Sequence, residues 1–124
     1  EWLDCSLFLH IRIKVMNEQL LALEKEADAL RIDGKYQEAV DKLKEALEID
    51  QAFVRGHLGL SVLYHHLQDY EQSCAHGEKS VQLEPDDIFN WAALSVTYQR
   101  AFEGTRDPGY IQKAEEAMAR SRGM

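Results

Sequence analysis

Apolar residues recur at helical spacing along most of the chain, and whole helices then recur at one longer interval. Over residues 17–33, Leu20, Leu23, Ala27 and Leu30 share a face, with Glu24, Glu26 and Asp28 among the outward positions. Asp33-Gly34 predicts the stop, because glycine tolerates the left-handed conformation of a helix C-cap. A second helix is predicted over 36–49, where Tyr36, Ala39, Val40, Leu43, Ala46 and Leu47 form the apolar stripe. The pair returns over 53–67 and 70–83, with a tight turn at Gln68-Asp69-Tyr70 between them. It returns again over 88–103 and in a last helix carrying Ile111, Ala114, Met118 and Ser121.

The longer interval is the same for every landmark. Leu23, Ala27, Leu30, Tyr36, Ala39, Ala46 and Ile49 precede His57, Ser61, Tyr64, Tyr70, Ser73, Ser80 and Leu83, one for one. Trp91, Leu94, Ser95 and Tyr98 follow His57, Leu60, Ser61 and Tyr64 by the same distance. A helical hairpin repeated at a period of about 34 residues predicts an all-α solenoid, in which each hairpin buries its apolar face against the next. Hairpins are expected at about 20–51, 54–85 and 88–121, within one domain of residues 16–124. The third departs from register: one period beyond Ser73 stands Asp107, and the matching small residue comes only at Ala114. The extra residues predict two helices each about a turn longer, around a protruding tip at Glu103–Asp107 with Gly104 as C-cap. Asp107-Pro108 reads as the restart, an N-cap acceptor before a first-turn proline.

Residues 1–15 break this pattern. Leu7, Leu9, Ile11, Ile13 and Val15 alternate with Phe8, His10, Arg12 and Lys14, which is a strand's period of two. Such a segment either extends as a strand, pairing with its copy or lying in a groove, or continues the first helix or stays loose. The chain begins with Glu1, and Met16-Asn17-Glu18-Gln19 has the look of a native start, so 1–15 reads as upstream or fusion sequence.

Charge narrows the function. The net charge is −8, against the basic face expected of a nucleic-acid binder. No apolar run reaches the roughly 18 residues a membrane span needs. Cys5 and Cys74 are too few and too far apart for a disulfide framework, which favours a reducing cytoplasm. His65, His66, Cys74 and His76 match no zinc spacing, and adjacent histidines point about 100° apart on a helix, so no metal is expected. No base accompanies Cys74, no glycine-rich phosphate loop is present, and Glu115-Glu116 and Asp86-Asp87 read as solvated faces or caps, not an acid–base pair. Neither an enzyme nor a cofactor protein is implied.

Three sets of residues carry a family resemblance: Trp91-x2-Leu94-Ser95-x2-Tyr98, Tyr36-x2-Ala39-x3-Leu43-x2-Ala46, and Tyr70-x2-Ser73 closing at Pro85. They resemble the tetratricopeptide repeat (TPR) family over about residues 20–121. The departures are Glu26 for a leucine, Gly77 for a large residue, Gln51 for a proline, and the inserted third hairpin. The resemblance implies a right-handed superhelical array of three antiparallel hairpins that binds a peptide or protein in its concave groove.

By that resemblance the groove is lined by Leu21, Glu24 and Asp28, then Arg55, Leu58, Val62 and His65, then Phe89, Ala92, Val96 and Gln99. One branch of the family grips a C-terminal carboxylate with lysines and asparagines. Here Glu24, Asp28, Gly59, Ala92 and Ala93 stand around those positions, and two acids repel a carboxylate. An apolar middle with an acidic first rim suits an amphipathic helix or an extended apolar segment with basic flanks. The alternative is structural: a homodimer or self-filled groove in which residues 1–15 occupy the chain's own groove or a second copy's.

Overall fold

Turn chemistry cuts the chain into six helices, which the computed structural model describes over residues 2–123. They are α1 (Trp2–Ile32), α2 (Tyr36–Ile49), α3 (Val54–His66), α4 (Tyr70–Leu83), α5 (Ile88–Thr105) and α6 (Gly109–Ser121). No strand is present among the described residues. Gly34 ends the first hairpin helix in the left-handed region, at φ 80°. Gln68 takes that conformation in the second hairpin and Arg106 in the third, at 61° and 64°. Asp69 and Asp87 cap α4 and α5 by accepting from the amides of Gln72 and Phe89 at 3.2 and 2.9 Å. Asp107 accepts from the Gly109 amide at 2.9 Å and opens α6.

Successive helices pair as antiparallel hairpins α1/α2, α3/α4 and α5/α6, and each hairpin packs on the next. The buried apolar residues nevertheless form two blocks that divide inside the middle hairpin. Ala27, Ala39, Val40, Leu43, Leu60, Leu63 and Tyr64 join α1, α2 and α3. Cys74, Val81, Leu94, Tyr98, Ala101, Ala114 and Ala117 join α4, α5 and α6. Small and polar side chains make the seam between α3 and α4. Ser61 Oγ donates to the Ser73 carbonyl at 2.9 Å, and Ser73 Oγ donates back to the Ser61 carbonyl at 2.7 Å. Gly77 brings α4 close to Leu94 of α5.

A pair of histidines completes the seam. His57 Nε2 lies 3.0 Å from the Gln51 carbonyl, which can only accept, so this nitrogen carries the proton. In neutral His57 the Nδ1 is then an acceptor, and His76 Nδ1 donates to it at 3.0 Å. Lys44 from α2 and the stacked ring of Tyr64 face the pair. His76 is pushed down to about 4, by burial first and then by His57 and Lys44. The ordinary value is about 6.5, so the unfolded chain takes up this proton before the folded one. The contribution to stability is therefore full above about pH 6.5 and lost as the pH falls toward 4. Because the imidazole is only half-buried, about 1–2 kcal/mol is expected rather than the full shift. Urea unfolding of the wild type and of His76→Gln across that window checks this: the wild type should lose the larger share, and parallel losses would remove His76 from the account.

Two departures from the repeat pattern find partners here. Glu26, in place of a leucine, binds Lys42 of α2 at 3.3 Å, and Glu45 lies on the other side of the same ammonium at 3.7 Å. The extra residues of the third hairpin behave otherwise than expected. They lengthen α5 to 18 residues and leave α6 at 13, beside 13 and 14 in α3 and α4. Gly104 is no cap: it lies inside α5, and a Cβ there would collide with the ring of Tyr70, while Arg106 is the left-handed residue that ends the helix.

The alternating stretch at 7–15 does not become a strand but continues α1, a rod of 31 residues and about 46 Å. A strand would need a partner edge for its amides and carbonyls, and the described residues offer none. A helix satisfies those groups internally and simply prolongs the turns already held against α2. From Cys5 to Gln19 every side chain but Met16 is exposed, Leu7 at 61% and Phe8 at 69%. This segment therefore does not fill the chain's own groove.

Candidate binding groove

The first helix of each hairpin supplies the positions expected to line a groove. On α1 and α3 they converge. Asp28, Leu58 and Val62 surround an open hollow of about 390 Å³, floored by Ala27, Leu43 and Leu63. Gly59 lies against Leu43 there, where a Cβ would come within 2.7 Å of the leucine methyl. The absent side chain keeps the hollow open. Leu58 is half-buried and Val62 is 39% exposed, so apolar surface faces solvent.

The rim is less acidic than its sequence suggests. Glu24 accepts from Arg55 Nε at 2.8 Å, bridging α1 to α3, and Asp28 stands 3.8 Å from Arg31 of its own helix. Arg55 also lies over the Phe53 ring at 5.3 Å. Leu21 is exposed higher on α1. The charge pattern is thus two paired acids beside an apolar strip.

The remaining positions do not share this hollow. Phe89 is 78% exposed, at the start of α5. Ala92 is half-buried and Val96 exposed further along that helix. Gln99 lines a separate groove between α5 and α6, and its amide donates to Ser95 Oγ at 3.4 Å. His65 packs with the rings of His66 and Tyr70, and its Nδ1 is buried without a partner. Burial, then Arg100 and His66, hold its pKa below the ordinary value.

Cys74 is buried and its thiol is pushed up to about 11 by burial and Glu78, which keeps it protonated. No three His, Cys, Asp or Glu side chains converge on a common point among the described residues. No helix among them is long and apolar enough to cross a membrane.

Comparison with known proteins agrees with the hairpin geometry. Residues 27–68 match the model of the TPR repeat family. The second TPR of Spaghetti (RPAP3), solved bound to the HSP90 peptide SRMEEVD, superposes with a TM-score of 0.70 at 14% identity, over 87% of this chain and 95% of that one. The N-terminal domain of the C. elegans stress-induced protein-1 (STI-1) gives 0.61 at 14%, over 82% and 96%. The MamA protein gives 0.62 at 18%, over 84% of this chain and 57% of that one. No curated protein sequence matches the chain.

Proposed function

From a TPR fold that carries a TPR repeat at residues 27–68, we propose a non-catalytic protein-interaction module that binds a peptide or helix in its concave groove. The observation that carries it is the hollow between α1 and α3, where Asp28, Leu58 and Val62 meet over an apolar floor. Leu21, Glu24 and Arg55 extend it along α1 and α3, and Ala92, Val96 and Phe89 continue its face on α5. The preferred occupant has apolar anchors for Leu58 and Val62 and a basic flank for Asp28, whose pairing with Arg31 is long at 3.8 Å and exposed. An acidic tail such as SRMEEVD is disfavoured, because Glu24 and Asp28 stand where it would need cations. Two free cysteines and an acidic surface support a cytoplasmic adaptor.

Fluorescence anisotropy with two labelled peptides tests this, one apolar with lysine flanks and one ending in SRMEEVD. The lysine-flanked peptide should bind more tightly, and Val62→Asp should weaken it about tenfold, as loss of one apolar anchor of roughly 1.4 kcal/mol requires. Tighter binding of the acidic peptide would overturn the reading.

A second reading has its own observation. The Cys5–Gln19 extension of α1 presents six large apolar side chains to solvent, more than a lone surface helix ordinarily leaves uncovered. Self-association through this segment, as a homodimer or larger assembly, would cover them.

A further inference from the structure

We propose that the α1 extension of one copy seats in the groove between α5 and α6 of another, so that chains join head to tail. This rests on the second reading above and names the surface that receives the helix. The seat is a groove of about 710 Å³, uncovered among the described residues, with Phe102, Ile111, Ala114 and Met118 on its walls. Its form repeats one already filled twice within the chain. α3 lies against the hairpin α1/α2, and α5 lies against α3/α4. The hairpin α5/α6 offers the next such place, and the interface continues the one that builds the array.

The occupant has the right length and surface. Cys5–Gln19 is helical throughout and falls between α3 and α5 in length. Leu7, Phe8, Leu9, Ile11, Ile13 and Val15 are 46–69% exposed. Leu7, Phe8, Ile11 and Val15 share one side of the helix, and at roughly 100 Å² each they supply about half of the ~800 Å² per partner of a standard interface. Apolar side chains cover most of the helix circumference, the pattern of a helix meant to be enclosed.

Charge favours a second copy over other occupants. Residues 5–15 carry Arg12 and Lys14 and no acid, in a chain whose net charge is −8. The seat itself is charge-balanced, with Glu103 and Glu115 against Arg106 and Arg122, so the attraction is of the basic extension to the acidic chain as a whole. An anionic membrane would attract the extension but repel the rest of the chain. The concave hollow is a poorer seat, being smaller at about 390 Å³, with Glu24 already bound to Arg55.

Such a contact is heterologous: the two surfaces differ, and each chain carries one of each. The test uses light scattering after size exclusion on the full chain over a concentration series. The wild type should gain mass with concentration, whereas Ile11→Asp and Met118→Arg should each stay at the 14.3 kDa of one chain. Mixed in equal amounts, the variants should form a pair of two chains and nothing larger, since one intact helix then meets one intact groove. Val62→Asp should assemble as the wild type does. A wild type that stays monomeric would overturn both this seat and the self-association beneath it. Assembly that survives Met118→Arg, fails in Val62→Asp, or is not restored by mixing would leave self-association standing and overturn the seat. Circular dichroism guards against misfolding; should Met118→Arg lose helicity, Glu115→Lys on the rim replaces it, with the same outcomes.

Discussion

Leu60→Ala is expected to lower stability by about 2–5 kcal/mol, the range for emptying a fully enclosed leucine site. Leu60 has no exposed surface and sits where α1, α2 and α3 meet, among Ala27, Ala39, Val40, Leu43 and Leu63. Three of its neighbours are alanine or valine, short side chains with little reach to fill the space. Collapse around the cavity is therefore limited, which places the cost toward the upper half of that range. The melting temperature should fall by roughly 10 °C or more for a chain of this size. Amide exchange gives the sharper reading. Protection should drop most in α2 and α3 and least in α5 and α6, whose buried side chains form the other block. Equal loss throughout would mean that the two blocks unfold as one. Val62→Ala, on an exposed position of the same helix, should stay within about 0.5 kcal/mol.

Gly77→Leu should cost about 2–3 kcal/mol from overpacking. A Cβ at residue 77 would lie 3.0 Å from Leu94 Cδ1, 3.5 Å from Ser61 Oγ and 3.8 Å from Thr97 Cγ2. Alanine is tolerable there: the leucine methyl can yield a few tenths of an ångström, and about 1 kcal/mol of helix propensity is gained. Leucine adds three more carbons where Leu94 already stands, so α5 must move away from α4 and strain the Ser61–Thr97 hydroxyl contact of 3.3 Å. Urea titration of both variants checks the pair of outcomes. A neutral Gly77→Leu would show that room exists beside Leu94. Leu94 also accounts for the departure from the repeat pattern: it fills, from α5, the volume that a large residue at 77 would occupy.

How much of this was legible depends on how far apart the interacting residues lie. Hairpin order and helix termini were readable because landmarks such as Tyr36 and Tyr70 recur at a fixed interval, and because Gly34 and Asp107 act on their immediate neighbours. The apolar stripe of Leu58 and Val62 was readable from helical period. What escaped is non-local. Gly104 looked like a cap, yet its role is set by Tyr70, a full repeat earlier and on another helix. The acids Glu24 and Asp28 looked like a free rim, but Arg55 neutralises the first from 31 residues away. His57 and His76 are separated by 19 residues and meet only because α3 folds back on α4. The segment 7–15 was ambiguous for a different reason: apolar residues so dense satisfy both a period of two and a helix, and only the absence of a strand partner decides between them.

The division of the buried side chains also bears on how curvature is set. Each apolar block holds three helices by contacts that resist sliding, because moving one side chain disturbs many. Across the seam, by contrast, the closest bonds are the two short ones between Ser61 and Ser73. With the His57–His76 contact one turn away on the same two helices, the seam is held at a few polar points rather than by a packed apolar face. The pitch of the array, and with it the width of the concave face between α3 and α5, then depends on these few polar contacts. A bulky change within either block, or at Gly77 beside Leu94, alters stability, whereas exchanging the serine side chains of the seam for others of similar size retunes shape, so Ser61 and Ser73 are where a binding surface of this kind could be widened or narrowed.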